Sequence, residues 1–235
     1  MESASEIISL LCPTRKRPNN VVRFINSAYT TVSEASRLRI LFYVDDDDFE
    51  TINLAEKYQQ IDNKIRWIVR KRIILSEMTN ILAKEAQKGI LFLLGDDVVF
   101  ETKNWDIEIR KEFLSVKDNI LLVYGKDGIM NERLATHSCI HSKWVEILGH
   151  IVPPIFPGDW VDNWMTKISE SLGRKIYRED LLFTHMHPTV GKANFDEVYI
   201  EKYLRDRQAR PDLILEAKKD LLEEDINKLR DYMNG

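Results

Sequence analysis

At 235 residues, of which 44% are hydrophobic and 31% charged, the chain can bury one substantial core but is too short for two full domains. Its net charge of -4 and isoelectric point of about 5.8 exclude the overall basic field that drives non-specific nucleic-acid binding, so we do not expect a nucleic-acid partner. Two cysteines make no disulfide framework, and no apolar run approaches the roughly 20 residues of a membrane span, so we expect a soluble, cytoplasmic protein without a membrane span.

A short apolar strand, Ile7 to Cys12, opens the predicted fold and ends at Pro13. The loop that follows, Thr14 to Pro18, carries three consecutive cations. Such a loop is either simply solvated or, because it leaves the carboxyl end of a strand, lies beside a ligand crevice. We favour the second interpretation because of that position. Apolar residues at helical spacing then predict a helix from Asn20 to Ala35.

The second predicted strand, Leu38 to Val44, runs directly into four aspartates, Asp45 to Asp48. Four adjacent carboxylates repel one another, so they are tolerable only in a solvated turn or close to a cation or hydrogen-bond donors. An aspartate at a turn or at a helix N-cap needs no further function, and a helix is predicted from Thr51 to Gln60. We expect at least one of the four to belong to a functional site.

The fourth predicted strand, Ile90 to Leu94, is a continuous apolar run typical of a strand buried on both faces. It is preceded by a third strand, Ile65 to Val69, which leaves three cations at residues 70–72, and by a helix from Ser76 to Gln87. It ends abruptly on Gly95-Asp96-Asp97, at the edge where open α/β sheets bind ligands. The alternation of strands and helices predicts an α/β fold with a mostly parallel central sheet flanked by helices.

The second half of the chain mixes helices, strands and loops. The predicted elements are a helix at 105–114, a strand at 120–124, a mixed segment at 134–141, a helix at 142–148, a proline-rich loop at 150–158, a helix from 159 to about 172, a short extended segment at 175–177 and a strand at 181–187.

The tail from Asn194 onward is dominated by charge, and Pro211 divides it. Its apolar residues form a helical stripe of Leu215, Leu222, Ile226, Leu229 and Met233. We expect this stripe to pack back on the domain, with self-association into a homodimer as the second interpretation. Membrane contact ranks third because the charges are mixed rather than basic.

A divalent metal that bridges protein and phosphate is suggested by the carboxylates after two strands and a late His185-Met186-His187. Hard oxygen ligands suit Mn2+ or Mg2+, which proteins usually hold with one or two carboxylates plus phosphate oxygens. Asp97 is the predicted direct ligand, and Asp96 touches either the metal or a ribose hydroxyl. In an extended segment both histidines project to the same side, so one completes the metal shell and the other contacts phosphate, unless they merely end a strand.

Two further carboxylates, Asp159 and Asp162, lie three residues apart at a predicted helix start. One interpretation makes Asp159 the N-cap and Asp162 a first-turn acid favoured by the helix dipole. The other makes the acid a general base across the crevice from a leaving diphosphate, which requires hydrogen-bond reach of the nucleophile.

The order of these motifs resembles the GT-A glycosyltransferases, near family 2 and its phage-encoded and bacterial relatives. The resemblance spans roughly Ile7 to Tyr199 and rests on Pro13-Thr14-Arg15, Val44-Asp45-Asp46, Thr79-Asn80, Gly95-Asp96-Asp97, Tyr124-Gly125, Leu134-Ala135-Thr136-His137, Val161-Asp162-Asn163, His185-Met186-His187-Pro188, Gly191-Lys192 and Asp196 to Tyr199. Gly95 departs from the Asp-x-Asp motif of the family, because it stands where the first aspartate would be.

The resemblance implies a nucleotide-diphosphate sugar donor that lies across the strand ends. The donor-binding residues so implied are Pro13, Thr14, Arg15, Arg17, Asp45, Asp46, Arg72, Asn80, Asp96, His137 and Lys192. It also implies a metal on Asp97 with His185 or His187, and Asp162 as catalytic base with Asp159 as its substitute. The predicted domain is residues 1–193, followed by a helical extension at 194–235.

The implied activity is an inverting transfer of the sugar to a hydroxyl of a glycan or glycoprotein acceptor. A nucleotidyltransferase that makes sugar nucleotides is the nearest alternative enzyme, but the first loop lacks the glycines of its usual phosphate loop. A non-catalytic sugar-nucleotide binding module is the alternative from another class. A Rossmann dehydrogenase is disfavoured because no Gly-x-Gly-x-x-Gly follows a strand.

Overall fold

The computed structural model describes residues 6–235, so the first five residues of the predicted 1–193 domain lie outside it. In this range the strands are β1 Ile7–Thr14, β2 Leu38–Asp45, β3 Ile65–Arg70, β4 Gly89–Leu93, β5 Val98–Phe100, β6 Leu122–Lys126, β7 Ser138–His141 and β8 Lys175–His185. The α-helices are α1 Pro18–Thr31, α2 Phe49–Gln59, α3 Leu75–Glu85, α4 Trp105–Leu114, α5 Ser142–Leu148, α6 Val161–Ser171, α7 Glu197–Ala209, α8 Pro211–Ala217 and α9 Lys219–Asn234.

The strands form one eight-stranded sheet in the order β3-β2-β1-β4-β7-β6-β8-β5. The pairs β1 with β2, β2 with β3, β1 with β4 and β6 with β8 are parallel, and the remaining three are antiparallel. This confirms the predicted α/β architecture with a mostly parallel sheet. The chain leaves β1 toward one edge and returns to its other side at β4, so the strand order reverses beside β1, which is where such sheets bind ligands.

Helices cover both faces of the sheet, and each face has its own apolar core. Leu10 and Cys12 of β1 belong to the core under α1, α2 and α4, while Leu11 belongs to the core under α3, α5 and α6. Both cysteines of the chain are free and buried. Burial on both faces explains why β1, β2 and β4 read as nearly continuous apolar runs.

The late strand differs from the sequence-based prediction of two separate segments at 175–177 and 181–187. It is one strand, β8, which pairs with β6 and changes register between Gly125 and Lys126. A Cβ at Gly125 would lie 2.3 Å from the carbonyl oxygen of Leu181, so only glycine permits this close approach. The pairing also moves the start of β6 from the predicted residue 120 to 122.

The apolar stripe of the tail packs on the domain, as the first of its three interpretations predicts. Leu222, Ile226 and Leu229 of α9 are buried in the same core as α5 and α6. Asp225 is fully buried in this contact and accepts hydrogen bonds from the ring of His150 (3.0 Å) and the indole of Trp164 (3.1 Å). These apolar side chains are therefore not free for a dimer contact, and a homodimer stays a prediction.

No helix in residues 6–235 has both the length and the apolar character that a membrane crossing requires.

Candidate active site

A cavity of about 280 Å³ opens at the carboxyl ends of β1, β2 and β4, where the strand order reverses. The segment before α3, the start of β7, the loop before α6 and helix α7 complete its wall. Twelve of the residues predicted for the site line it: Pro13, Thr14, Arg15, Arg17, Asp45, Arg72, Asp96, Asp97, His137, Asp159, Asp162 and His185.

Four predicted site residues lie outside this lining, namely Asp46, Asn80, His187 and Lys192. Asp46 and Lys192 are exposed. Asn80 bridges the backbone of the loop after α5 with two hydrogen bonds of 2.8 Å, so its amide has a structural partner. His187 accepts the backbone N–H of Thr189 at 3.3 Å and caps the short 3-10 helix 188–190.

The basic loop after β1 is held by carboxylates, so its cations are partnered rather than merely solvated. Arg15 binds Asp45 at 2.9 Å and makes a bidentate contact with Asp47. Arg17 makes a bidentate contact with Asp196 at 2.7 and 2.8 Å. Both guanidinium groups line the cavity with little exposure, 12% and 11% for the two side chains. This arrangement fixes two cations at the mouth of the crevice.

Asp45, at the end of β2, is buried and only half satisfied. Its Oδ2 atom accepts from Arg15 at 2.9 Å and lies 3.8 Å from Arg72, whereas its Oδ1 atom is buried without a hydrogen-bond partner. Burial raises the pKa of this carboxyl, and the charge of Arg15 opposes the rise. An unpartnered acceptor that lines a cavity is suited to a ligand N–H or O–H. Asp48, by contrast, caps α2, as the alternative interpretation of the aspartate run has it.

Asp96 organises the loop after β1. Its Oδ2 atom accepts from the hydroxyl of Thr14 at 2.7 Å, and its Oδ1 atom lies 3.3 Å from the amide of Asn20 and 3.4 Å from Arg17. Burial and the neighbouring charge of Asp97 raise the pKa of Asp96. Both of its oxygens therefore have protein partners, and Asn20 is one that the sequence did not indicate.

Asp97 presents a different set of contacts. Its Oδ2 atom accepts from the hydroxyl of Tyr199 at 2.7 Å and lies 3.3 Å from Nε2 of His185. Although burial acts in the opposite direction, the hydrogen bond and charge of His185 hold the pKa of Asp97 well below its usual range. A Cβ at residue 95 would lie 2.5 Å from Oδ1 of Asp97, so an aspartate there would displace this carboxylate. The glycine that breaks the Asp-x-Asp pattern thus makes room for Asp97.

Three imidazole rings and a second carboxylate surround Asp97. The rings of His137 and His185 lie 4.8 Å apart, and those of His185 and His187 lie 5.1 Å apart. Nδ1 of His185 lies 3.9 Å from Asp127, whose other oxygen accepts three backbone N–H groups. Burial opposes the effect, but the carboxylates of Asp127 and Asp97 raise the pKa of His185 to about 9. Burial and the charge of His185 lower the pKa of His137 to about 3.

These residues fit a divalent metal to a limited extent. In the described part of the chain, no group of three or more histidine, cysteine or acidic side chains is arranged to hold a metal. Asp97 and His185 nevertheless present an oxygen and a nitrogen 3.3 Å apart, and a metal bound there would take the place of the proton that the raised pKa of about 9 keeps on His185 at neutral pH. Nε2 of His137 is buried without a partner in the same lining. Two protein ligands are what Mn2+ or Mg2+ typically takes when phosphate oxygens and waters supply the rest.

The loop before α6 and the first turn of that helix carry the two candidate bases. Helix α6 begins at Val161, not at Asp159, and Trp160 occupies the N-cap position in the left-handed region (φ 83°). The interpretation of Asp159 as the N-cap is therefore wrong, and its carboxylate instead binds Nζ of Lys202 at 2.7 Å. Asp162 lies in the first turn and accepts only its neighbour's backbone N–H at 2.9 Å. Burial, with the charge of Asp159, raises the pKa of Asp162 to about 6.

Helix α7 supplies site residues that sequence reasoning missed. Tyr199, Lys202 and Arg205 line the cavity, while Asp196 and Glu201 bind its cations, the latter at 2.7 Å from Arg72. Burial acts in the opposite direction, but the carboxylate of Asp159 raises the pKa of Lys202. The spacing of three between Asp196, Tyr199, Lys202 and Arg205 makes each of them the helical neighbour of the next, which is a signal for a polar row. The apolar stripe further along the tail is the stronger pattern.

No protein-family model matches the sequence, and no curated protein matches it. Solved structures do match the fold. The mannosyltransferase PcManGT from Pyrobaculum calidifontis, in complex with GDP-Man and Mn2+, gives a TM-score of 0.66 at 11% identity, over 79% of this chain and 58% of that one.

Two structures of S. aureus TarS residues 1-349 are also similar. The complex with UDP gives a TM-score of 0.59 at 13% identity, over 76% of this chain and 60% of that one. The complex with UDP-GlcNAc gives 0.56 at 13% identity, over 83% and 64%. The chain thus spans less than two thirds of each of these proteins. The likeness is one of fold, and it confirms the predicted GT-A glycosyltransferase fold.

Proposed function

We propose that this chain is a metal-dependent glycosyltransferase that moves a sugar from a nucleoside-diphosphate donor to a hydroxyl acceptor. One observation carries the proposal: a single cavity at the reversal point of the sheet is lined by Asp97 and His185 and by the weakly acidic Asp162. A metal-binding carboxylate and a base that face one cavity are what such a transfer requires. The shared fold with glycosyltransferases supports this interpretation.

The donor's nucleobase fits the side of the cavity at the ends of β1 and β2. The unpartnered Oδ1 atom of Asp45 accepts an N–H group such as uracil N3–H or guanine N1–H, and Leu11 and Ile73 line the same cavity with apolar surface. Arg15 and Arg72 flank this carboxylate and meet the donor's negative charge. PcManGT is bound to GDP-Man and TarS to UDP or UDP-GlcNAc, so both bases occur among proteins of this fold.

The donor's diphosphate lies near Asp97, His185 and Lys202. When bound, a divalent cation held by Asp97 and His185 neutralises negative charge on the departing diphosphate. Lys202 takes the role that the family resemblance implies for Lys192, because it is Lys202 that reaches the cavity lining, where it binds Asp159. An ammonium beside a phosphate forms the stronger, charge-assisted type of hydrogen bond.

Asp162 is the proposed base for the acceptor. Its Oδ atom takes the proton of the acceptor hydroxyl, and the hydroxyl oxygen forms a bond to the anomeric carbon of the donor sugar. The bond between that carbon and the β-phosphate oxygen breaks, and its electron pair leaves with the nucleoside diphosphate. With a pKa of about 6, the carboxyl is largely ionised at pH 7 and more basic than an ordinary aspartate. Attack from the side opposite to the leaving group gives an inverted product.

The proposed acceptor is a hydroxyl of a glycan or glycoprotein, and the proposed setting is the cytoplasm.

One experiment tests the proposed function against the two alternatives of the sequence analysis. A panel of nucleotide sugars is screened for Mn2+-dependent thermal stabilisation, and stabilising donors are then assayed for release of nucleoside diphosphate. We expect stabilisation by one donor together with release. Release of inorganic diphosphate from a nucleoside triphosphate and a sugar phosphate would instead indicate a nucleotidyltransferase.

The metal ligand is tested with Asp97→Ala and, as its control, Asp231→Asn on the exposed face of α9. We expect Asp97→Ala to abolish the Mn2+-dependent part of the stabilisation, because the carboxylate is the ligand that the metal needs most. The control variant should match the unsubstituted protein. Unchanged Mn2+ dependence in Asp97→Ala would remove the metal assignment, and binding of donor without turnover on any acceptor would favour the binding module.

A further inference from the structure

Trp160 stands apart from the other four tryptophans of the chain. Trp67, Trp105, Trp144 and Trp164 are buried in the two cores, whereas Trp160 is half-buried and lines the cavity. Trp160 packs against the apolar core on the α6 side of the sheet. The protein thus presents a half-buried aromatic side chain to the cavity.

The backbone at this position does not favour a tryptophan. Trp160 has φ 83° and ψ 0°, a left-handed conformation that bulky residues rarely adopt and that glycine or asparagine adopts readily. Neighbouring contacts hold the segment there, among them the hydrogen bond from the backbone N–H of Asp159 to Asp206 at 3.2 Å and the ion pair of Asp159 with Lys202 at 2.7 Å. Backbone strain of this kind concentrates at binding sites. The turn before α6 would form more easily with glycine or asparagine, so the tryptophan side chain is not there to form the turn.

The position of Trp160 relative to the base defines what it contacts. It precedes Asp162 by two residues, and both side chains line the same cavity. The acceptor hydroxyl must come within hydrogen-bond reach of Asp162, so the group that bears this hydroxyl lies next to the indole. The proposed diphosphate site is at Asp97, after β4, whereas Trp160 belongs to the loop before α6. Trp160 is therefore the aromatic residue of the lining that precedes the candidate base.

We infer that Trp160 is the platform for the acceptor, and that the acceptor group bound there is a pyranose ring. A pyranose presents axial C–H groups on its faces and hydroxyls at its rim, which match a flat apolar ring with an N–H at its edge. A nucleobase also stacks on an indole, but Asp159 and Asp162 beside the ring repel the phosphates that accompany it. The inference rests on the proposed function and gives it an acceptor class.

The test measures binding of methyl pyranosides by saturation-transfer difference NMR, on the full chain with a stabilising nucleotide sugar's nucleoside diphosphate present, together with Mg2+ because it is diamagnetic. The probes are the methyl glycosides of glucose, galactose, mannose and N-acetylglucosamine. We expect signals from the ring C–H protons of at least one probe. In Trp160→Asn, which suits the left-handed backbone, these signals should fall at least tenfold, and in Trp160→Phe, which keeps an aromatic face, they should fall less.

Tyr203→Ala is the matched control, because this aromatic side chain is 60% exposed on α7 and lies outside the cavity lining. It should leave the signals unchanged. The dissociation constant of the donor should also stay the same in Trp160→Asn, which shows that the variant is folded. Equal signals in Trp160→Asn and the control, or a loss of donor affinity in Trp160→Asn, would overturn the inference.

Two further outcomes separate the inference from the proposed function. The role of Trp160 would be contradicted if a short thymidine oligonucleotide displaced the pyranoside. It would also be contradicted if a chain that binds a nucleotide sugar gave no pyranoside signal. Neither result would affect the proposed donor site. A chain that binds no nucleotide sugar at all would overturn the proposed function itself. The NMR signals in the presence of the nucleoside diphosphate would then be absent for both Trp160 variants and for the Tyr203→Ala control.

Discussion

The two walls of the cavity differ in how completely their charged groups are partnered. On the sheet wall, Arg15, Arg17 and both oxygens of Asp96 have protein partners, and each lies at or beside the end of a buried strand. On the helical wall, formed by the start of α6 and by α7, Asp162 accepts only one backbone N–H and Trp160 lies in a left-handed conformation. The sheet wall also holds atoms that are buried without a partner, such as Oδ1 of Asp45 and Nε2 of His137, but it is the more fully partnered of the two. The wall with the left-handed backbone holds the under-partnered base.

This difference follows from what the two walls must do. A donor-binding wall gains from groups already held in place, because their ordering cost is met during folding. A base gains from the opposite condition, since hydrogen bonds to its carboxylate would lower its pKa and its basicity. Asp97 and Asp162 show the contrast directly: partners depress the pKa of the first, and burial with few partners raises that of the second to about 6.

Loss of the base should give the largest effect. Asp162→Asn removes the proton acceptor while it keeps the shape of the side chain, so we expect the rate of transfer to fall by about 10² to 10⁴. The donor's dissociation constant should change little, because the donor's charged end lies on the other wall. Steady-state transfer and donor binding are measured in parallel, with Asp231→Asn as the surface control.

Substantial transfer by folded Asp162→Asn would show that the under-partnered carboxylate is not the base. Asp159 is the substitute that the sequence offers, and it would then be tested in the same way. Its ion pair with Lys202 makes it the weaker candidate, since its carboxylate is already occupied by an ammonium 2.7 Å away.

The lysines of the C-terminal part give the second comparison. Lys202 lines the cavity, whereas Lys192 is exposed and outside it. We expect Lys202→Met to weaken donor binding by about tenfold, the typical size of a lost hydrogen bond to a charged group, and Lys192→Met to leave it nearly unchanged. Calorimetric titration of both variants with the stabilising donor measures this. A larger loss in Lys192→Met would restore the role that the family resemblance gave it.

The two walls also differ in how well their residues could be predicted from the sequence. The sheet wall could be predicted because strand order and apolar runs are local signals, and the carboxyl ends of parallel strands meet by geometry: Thr14, Asp45 and Asp97 line one cavity as expected. Asn80 and His187 could not be placed, because their partners are backbone groups of loops whose course depends on tertiary packing.

Helix α7 shows most clearly what could not be predicted from the sequence. It approaches the loop before α6 at Gly158, where an added Cβ would lie 2.2 Å from a carboxylate oxygen of Asp206 and would push that side chain aside. A residue pair 48 positions apart in sequence carries no periodic signal, so Tyr199 and Lys202 were assigned to an extension rather than to the site. The predicted boundary between residues 193 and 194 therefore separates residues that share one cavity, and it stays a prediction about domain organisation.

The pH dependence of transfer should give the smallest effect and the finest test of the contrast between the walls. Because Asp162 must be ionised to act, the rate at subsaturating donor and acceptor should fall roughly tenfold per pH unit below its pKa of about 6.

Asp159→Asn removes a negative neighbour and frees the ammonium of Lys202, and both changes favour ionised Asp162. The acidic limb of the pH–rate profile should therefore move to lower pH. Burial is the larger cause of the raised pKa and remains in the variant, so the limb should stop short of the ordinary value of 3.8. A limb that moves to higher pH, or stays in place, would mean that the titrating group belongs to the sheet wall instead.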